Sequence, residues 1–224
     1  MMRHLEDFYE EMRGCLAKAP LFVLYLDGLG YYMYEHALRN GKISDLKERY
    51  QVEPVQTVAP PVTNAAMATI LTGCLPRQHE ICSRKEHVPK VPTIFREWGH
   101  RAVCLEGDSV IVQTEILPRL HTARSGKTAD EWIFRSALKE MEKGAYFIFA
   151  HFHGIDDAAH LWGPYAEETL EEIEKKDRIA GMIAERFRGQ VLLISDHGLH
   201  EENGAGNHGG ICREDLTAIW GKKR

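Results

Sequence analysis

Gln190-Val-Leu-Leu-Ile-Ser-Asp-His-Gly-Leu199 passes from an uninterrupted apolar run into four polar or small residues. Val191 to Ile194 is too short for a helix and too uniformly apolar for a strand with one wet face, so it predicts a strand buried on both faces, as in parallel sheets. Ser195, Asp196, His197 and Gly198 then stand at its carboxyl end, where open α/β sheets hold their ligands. An adjacent Asp-His pair in that position offers metal ligands. It also fits a polar turn with a capping Asp and a solvated His.

The same signature recurs elsewhere in the chain. Leu21 to Leu26 is a second wholly apolar run and ends at Asp27-Gly28-Leu29-Gly30, where a helix is predicted to begin near Tyr31. Ala145 to His151 is another buried strand, and Ala102 to Leu105 a shorter one. Leu216 to Trp220 predicts a last strand at the sheet's edge. Between them, Thr128-Ala129-Asp130-Glu131 is a capping-box pattern opening an amphipathic helix, and Ala166 to Arg188 is a long helix. Asp177 lies on the apolar side of that helix, which predicts that it braces a neighbouring loop. Strand and helix alternate, so the expected fold is a three-layer αβα architecture with a mostly parallel central sheet.

At 224 residues and 44% hydrophobic content, one domain spanning residues 1–224 is expected, with no repeat or linker to divide it. A net charge of -5 lacks the basic footprint of a nucleic-acid binder but leaves a small phosphorylated substrate possible. Five cysteines without a CxxC pair argue against a disulfide framework, and no stretch has the length of a membrane span. An acidic start with no apolar core does not resemble a secretory signal, so a cytoplasmic location is expected.

Three further segments carry chemistry. After the strand at Ala145, Asp156 and His160 are four residues apart, so on a helix they share one face at about 5–6 Å between Cβ atoms and can hold one cation. His151 and His153 read as bystanders or as supports behind the ligands. Pro60-Pro61-Val62-Thr63-Asn64 precedes a helix from Ala65, so Thr63 stands at a helix start, as a cap or as a nucleophile whose phosphorylated form the helix end would stabilise. Glu201 to Gly210 ends in Asn207-His208-Gly209-Gly210, and its glycines let the loop fold back so that His208 reaches the sheet edge.

Taken together, DGLG, PPVTNAAMATILTG, DDAAHLWGP, SDHG and NHGG, in that order from Asp27 to His208, resemble the alkaline phosphatase superfamily, in particular its type I phosphodiesterase/nucleotide pyrophosphatase branch. The resemblance implies two divalent metal ions, one held by Asp156, His160 and His208 and the other by Asp27, Asp196, His197 and Thr63. Mixed Asp and His ligation suits zinc and is compatible with manganese. It also implies that Thr63 is the catalytic nucleophile and passes through a phosphothreonine. The chain departs from the branch after Pro76-Arg77-Gln78-His79, where an Asn usual in the diesterases is missing and Arg84 offers a cation for substrate binding instead. Substrate contacts are expected from Pro76 to Pro92 and Gly107 to Gly126. Phosphomonoesterase, phosphonate hydrolase or phosphomutase chemistry at the same site, or a catalytically silent metal-binding module, are the alternatives.

Overall fold

The computed structural model describes residues 2–224. In chain order the strands are β1 (Arg3–His4), β2 (Leu21–Leu26), β3 (Tyr50–Gln56), β4 (Ala102–Glu106), β5 (Arg119–Leu120), β6 (Phe147–Phe152), β7 (Gln190–Ile194), β8 (His200–Glu202), β9 (Ala205–Asn207) and β10 (Thr217–Lys223). Eight of them form one sheet in the order β1-β3-β10-β7-β2-β6-β4-β5, and β8 pairs with β9 as a separate hairpin. Every pairing in the large sheet is parallel except those on either side of β10.

Strand alternation explains why the apolar runs carry no polar residues. In β2, Phe22, Leu24 and Leu26 enter one core while Leu21, Val23 and Tyr25 enter the other. In β7, Val191 and Leu193 face the first core, Leu192 and Ile194 the second. Helices Tyr31–Arg39, Ala129–Glu142 and Glu167–Arg186 cover the first face, and Asp7–Leu16, Thr63–Thr72 and Ile94–Trp98 the second. The result is the expected helix-sheet-helix sandwich. Full burial of one such side chain contributes about 1.5–3 kcal/mol, so the central strands, which also carry the candidate site, are its most strongly held part.

One strand sits elsewhere than expected. β10 is not at the edge: it lies between β3 and β7. The reason is β3, whose sequence Tyr-Gln-Val-Glu-Pro-Val-Gln has no apolar run and contains Pro54. Pro54 pairs with Ile219 of β10, whereas the two-residue β1 meets β3 only at Val55 and Gln56. At Pro54 the strand is therefore an edge, where a missing N–H is tolerated. No helix among the described residues is long and apolar enough to cross a membrane.

Asp177 braces a loop, as its position on the long helix predicts. Its Oδ2 accepts from the N–H groups of Ser44 and Asp45 at 2.9 and 3.0 Å, and its Oδ1 from that of Leu46 at 2.7 Å. These are donors at the start of the short helix Asp45–Arg49. Replacing Asp177 by Ala leaves the buried Leu46 N–H and the less buried N–H groups of Ser44 and Asp45 without their acceptor, so the unfolding free energy should fall by about 3 kcal/mol. Urea denaturation of the variant measures it.

Candidate active site

The site forms because β7, β2 and β6 are neighbours in the sheet and run parallel. Asp27 follows β2, Asp196 and His197 follow β7, and helix Gly154–Trp162, carrying Asp156 and His160, follows β6. Close approach of these turns requires glycine. Gly28 has φ +70°, and a Cβ on it would lie 2.8 Å from Asp156 Oδ1; Gly30 and Gly198 likewise meet backbone to backbone. Gly28 N–H donates to Asp196 Oδ1 at 3.1 Å, tying the β2 turn to the β7 turn.

Thr63 is the first residue of helix Thr63–Thr72, with Val62 at the cap position and no side-chain cap. Its hydroxyl is turned into the site instead, with Oγ1 3.5 Å from Asp27 Oδ1 and 3.3 Å from His197 Nε2. His208 arrives from the loop after β9. Its Nδ1–H donates to Pro61 O at 2.8 Å, beside Thr63, and its ring stacks on His197 at 3.7 Å between centroids.

Three imidazoles are held in the same way. Nδ1–H of His160, His197 and His208 donates to the carbonyls of Gly206, Gly198 and Pro61, which turns each Nε2 toward the site. His160 Nε2 lies 3.4 Å from Asp156 Oδ2, and His208 Nε2 3.9 Å from Asp156 Oδ1. Donor atoms of Asp27, Asp196 and His197 converge within 4.8 Å of one another, as do those of Asp156, His197 and His208. His197 thus stands between the two groups, and His160 flanks the second through Asp156.

Two carboxylate oxygens here, Asp156 Oδ1 and Asp196 Oδ2, are buried without a hydrogen-bond partner. His197 Nε2 is 3.2 Å from the latter but is not aligned to donate to it. Burial together with the charge of Asp27 pushes Asp156 up to about 8 and Asp196 up to about 6. Buried oxygens that lack donors and repel one another are what a divalent cation satisfies, so the donor set fits metal ions. Burial pushes His208 down to about 2, which keeps its imidazole neutral.

Arg84 is an exposed residue yet reaches the site, with Nη2 2.6 Å from His208 Nε2. That nitrogen has one lone pair, so Arg84 and a cation compete for it. Asn64, directly after Thr63, donates to Glu86 O at 3.0 Å and Ile111 O at 3.3 Å. It pins both loops from which substrate contacts are expected.

Sequence reasoning missed two supporting carboxylates. Glu106 ends β4 and accepts from His151 Nδ1–H at 2.9 Å, while His151 Nε2–H donates to Asp27 Oδ2 at 3.0 Å. Two carboxylate acceptors require His151 to carry both protons, and its pKa is raised by Glu106 and Asp27 against the effect of burial. Burial opposes ionisation of Asp27 too, but His151 and His153 hold its carboxyl well below the usual range. The signal for Glu106 was present: an acid directly after an apolar run, as at Asp27. Asp130 had no such signal. It accepts from the N–H groups of His153 and Gly154 at 3.0 and 2.9 Å, orienting the helix that bears Asp156, and pairs with buried Lys176 at 2.8 Å.

Known proteins resemble this chain in sequence and in fold. A family model described as type I phosphodiesterase / nucleotide pyrophosphatase matches residues 21–115 and 119–218. Ectonucleotide pyrophosphatase/phosphodiesterase family member 1 of Rattus norvegicus is 22% identical over 167 residues, covering 59% of this chain and 18% of the relative. Its Mus musculus counterpart is 21% identical with the same coverage. The chain therefore spans under a fifth of these relatives' length. The crystal structure of phosphonoacetate hydrolase from Sinorhizobium meliloti 1021 with phosphonoformate aligns with TM-score 0.62 at 18% identity, covering 84% of this chain and 59% of that one. That likeness shows the fold.

Because His151 holds Asp27 only while Glu106 holds His151, Glu106→Gln should weaken metal retention by about tenfold with the sheet intact. Competition with a chromogenic chelator measures it, and an unchanged affinity would leave Glu106 a purely structural acid.

Proposed function

The chain belongs to the type I phosphodiesterase / nucleotide pyrophosphatase family, and on that premise we propose that it is a two-metal phosphoester hydrolase acting through a phosphothreonine at Thr63. The observation that carries this reading is the Thr63 hydroxyl, turned away from capping and toward Asp27 and His197 at the start of a helix. In this reading residues 1–224 act as one catalytic domain, in the cytoplasm, where its five free thiols stay reduced.

Asp27, Asp196, His197 and Thr63 would hold one divalent ion and Asp156, His160 and His208 the other, zinc suiting both sets, and the pair would supply Lewis-acid stabilisation of the attacking and leaving oxygens. The chain's own residues do the rest. Asp27, kept ionised by His151 and His153, accepts a hydrogen bond from the Thr63 hydroxyl and fixes where its lone pairs point. Attack by Oγ1, its hydroxyl proton passing to solvent, forms the Thr63 O–P bond as the P–O bond to the leaving group breaks in line and the leaving oxygen takes a proton from solvent. The first-turn N–H groups at Asn64 and Ala65, which have no intrahelical acceptor, then face the phosphoryl oxygens. Water attacking from the opposite side breaks the Thr63 O–P bond and restores the hydroxyl.

Arg84 favours a second reading at the same centre. A monoester presents a dianionic phosphoryl group and gains more from a guanidinium than a monoanionic diester does. The reach of Arg84 to His208 supports such a contact.

Thr63→Ala should abolish turnover of nitrophenyl esters while retaining the fold, and Thr63→Ser should keep part of the activity. Turnover at the wild-type rate in Thr63→Ala would mean that water attacks directly. Arg84→Ala should lower kcat/KM for a nitrophenyl monoester about tenfold more than for the matching diester, corresponding to a charge-assisted contact of about 1.5 kcal/mol. Equal losses would remove the monoester reading. A metal-loaded protein that turns over no mono-, di- or pyrophosphate ester would instead be a binding module.

A further inference from the structure

Beside the phosphoryl-transfer centre lies a second group of ligating side chains that the chemistry above does not use. His200, in β8, places Nδ1 2.8 Å from Asp215 Oδ1 and 3.7 Å from Cys212 Sγ. One donor atom from each residue falls within 4.8 Å of the others. Asp215 is buried, and His200 and Cys212 are half-buried.

A nucleophilic role for Cys212 does not suit this arrangement. Its thiol and the carboxylate meet the same imidazole nitrogen, so His200 cannot take the thiol proton on one nitrogen while Asp215 orients it through the other. Burial and the Asp215 carboxylate also push the Cys212 thiol above its ordinary range, the reverse of activation.

The spacing suits coordination. With zinc bonds of about 2.3 Å to sulfur and about 2.0 Å to nitrogen and oxygen, tetrahedral geometry separates N and S by about 3.5 Å and N and O by about 3.3 Å. The 3.7 Å between His200 and Cys212 already matches, and the 2.8 Å between His200 and Asp215 needs to open by about 0.5 Å. Imidazole, thiolate and carboxylate together carry two negative charges and neutralise one divalent ion.

We propose that His200, Cys212 and Asp215 bind a zinc ion at a site separate from the phosphoryl-transfer centre, and that this ion clamps the loop carrying His208. On binding, the Cys212 thiol releases its proton to solvent, and His200 carries its single proton on Nε2, leaving Nδ1 to the metal. The clamp acts through Asp215. Its Oδ2 accepts from Gly210 N–H at 2.9 Å, two residues past His208, and its carbonyl accepts from Gly198 N–H at 3.1 Å, next to His197. Fixing Asp215 therefore fixes backbone beside two of the histidines of the other centre.

Sulfur makes the test selective, because the phosphoryl-transfer set contains no cysteine. Cobalt(II) titrated into the metal-stripped wild-type chain should produce a near-ultraviolet thiolate-to-cobalt charge-transfer band. The band should vanish in Cys212→Ser and persist in Asp196→Ala, which damages only the other centre and so separates this proposal from the assigned activity. His200→Asn, at a partly exposed position, should weaken the cobalt affinity read from the band by about tenfold or more. Absence of the band from wild type at saturating cobalt, or its full strength in Cys212→Ser, would overturn the site.

Discussion

Three carboxylates, Asp27, Asp156 and Asp196, converge at the carboxyl ends of adjacent strands, and the rest of the site follows from that crowding. At an effective dielectric of about 20, two like charges about 4 Å apart repel by about 4 kcal/mol, a large fraction of the roughly 5–15 kcal/mol that holds a typical domain folded. Each surrounding feature supplies positive charge or a donor. His151, doubly protonated between Asp27 and Glu106, neutralises Asp27 from behind. Gly28 N–H meets one oxygen of Asp196. What remains are oxygens of Asp156 and Asp196 with nothing to accept from, close to the rings of His197 and His208.

Much of this was legible in the sequence because buried parallel strands leave a plain trace. Runs such as Leu21–Leu26 and Val191–Ile194 are apolar at every position since each side chain enters one of two cores. The polar residue that ends such a run is therefore conspicuous, which is how Asp27 and the Asp196-His197 pair stand out. Periodicity reports faces, however, and not neighbours. β3 lacks an apolar run, so the strand that moves β10 into the sheet's interior could not be seen. Asp130 acts through a contact made only in three dimensions, and Asn64 ties loops that the sequence separates from it by 22 and 47 residues.

Geometry at Thr63 bears on the chemistry more than its position in the chain does. A threonine at a helix start is most economically a cap, yet here the cap position belongs to Val62 and the hydroxyl points at Asp27 and His197. On the other side of the centre, two loops are tied together. Asn64 fixes loops near Glu86 and Ile111, and Arg84 extends from the first of them to His208.

The stereochemical course at phosphorus separates the two-step route from direct hydrolysis. Transfer to Thr63 followed by transfer to water consists of two in-line displacements, each inverting the phosphorus centre. Hydrolysis of a nitrophenyl phosphorothioate diester of one configuration, in isotopically labelled water, should therefore proceed with net retention. Net inversion would mean a single displacement by water, and Thr63 would then not be the nucleophile.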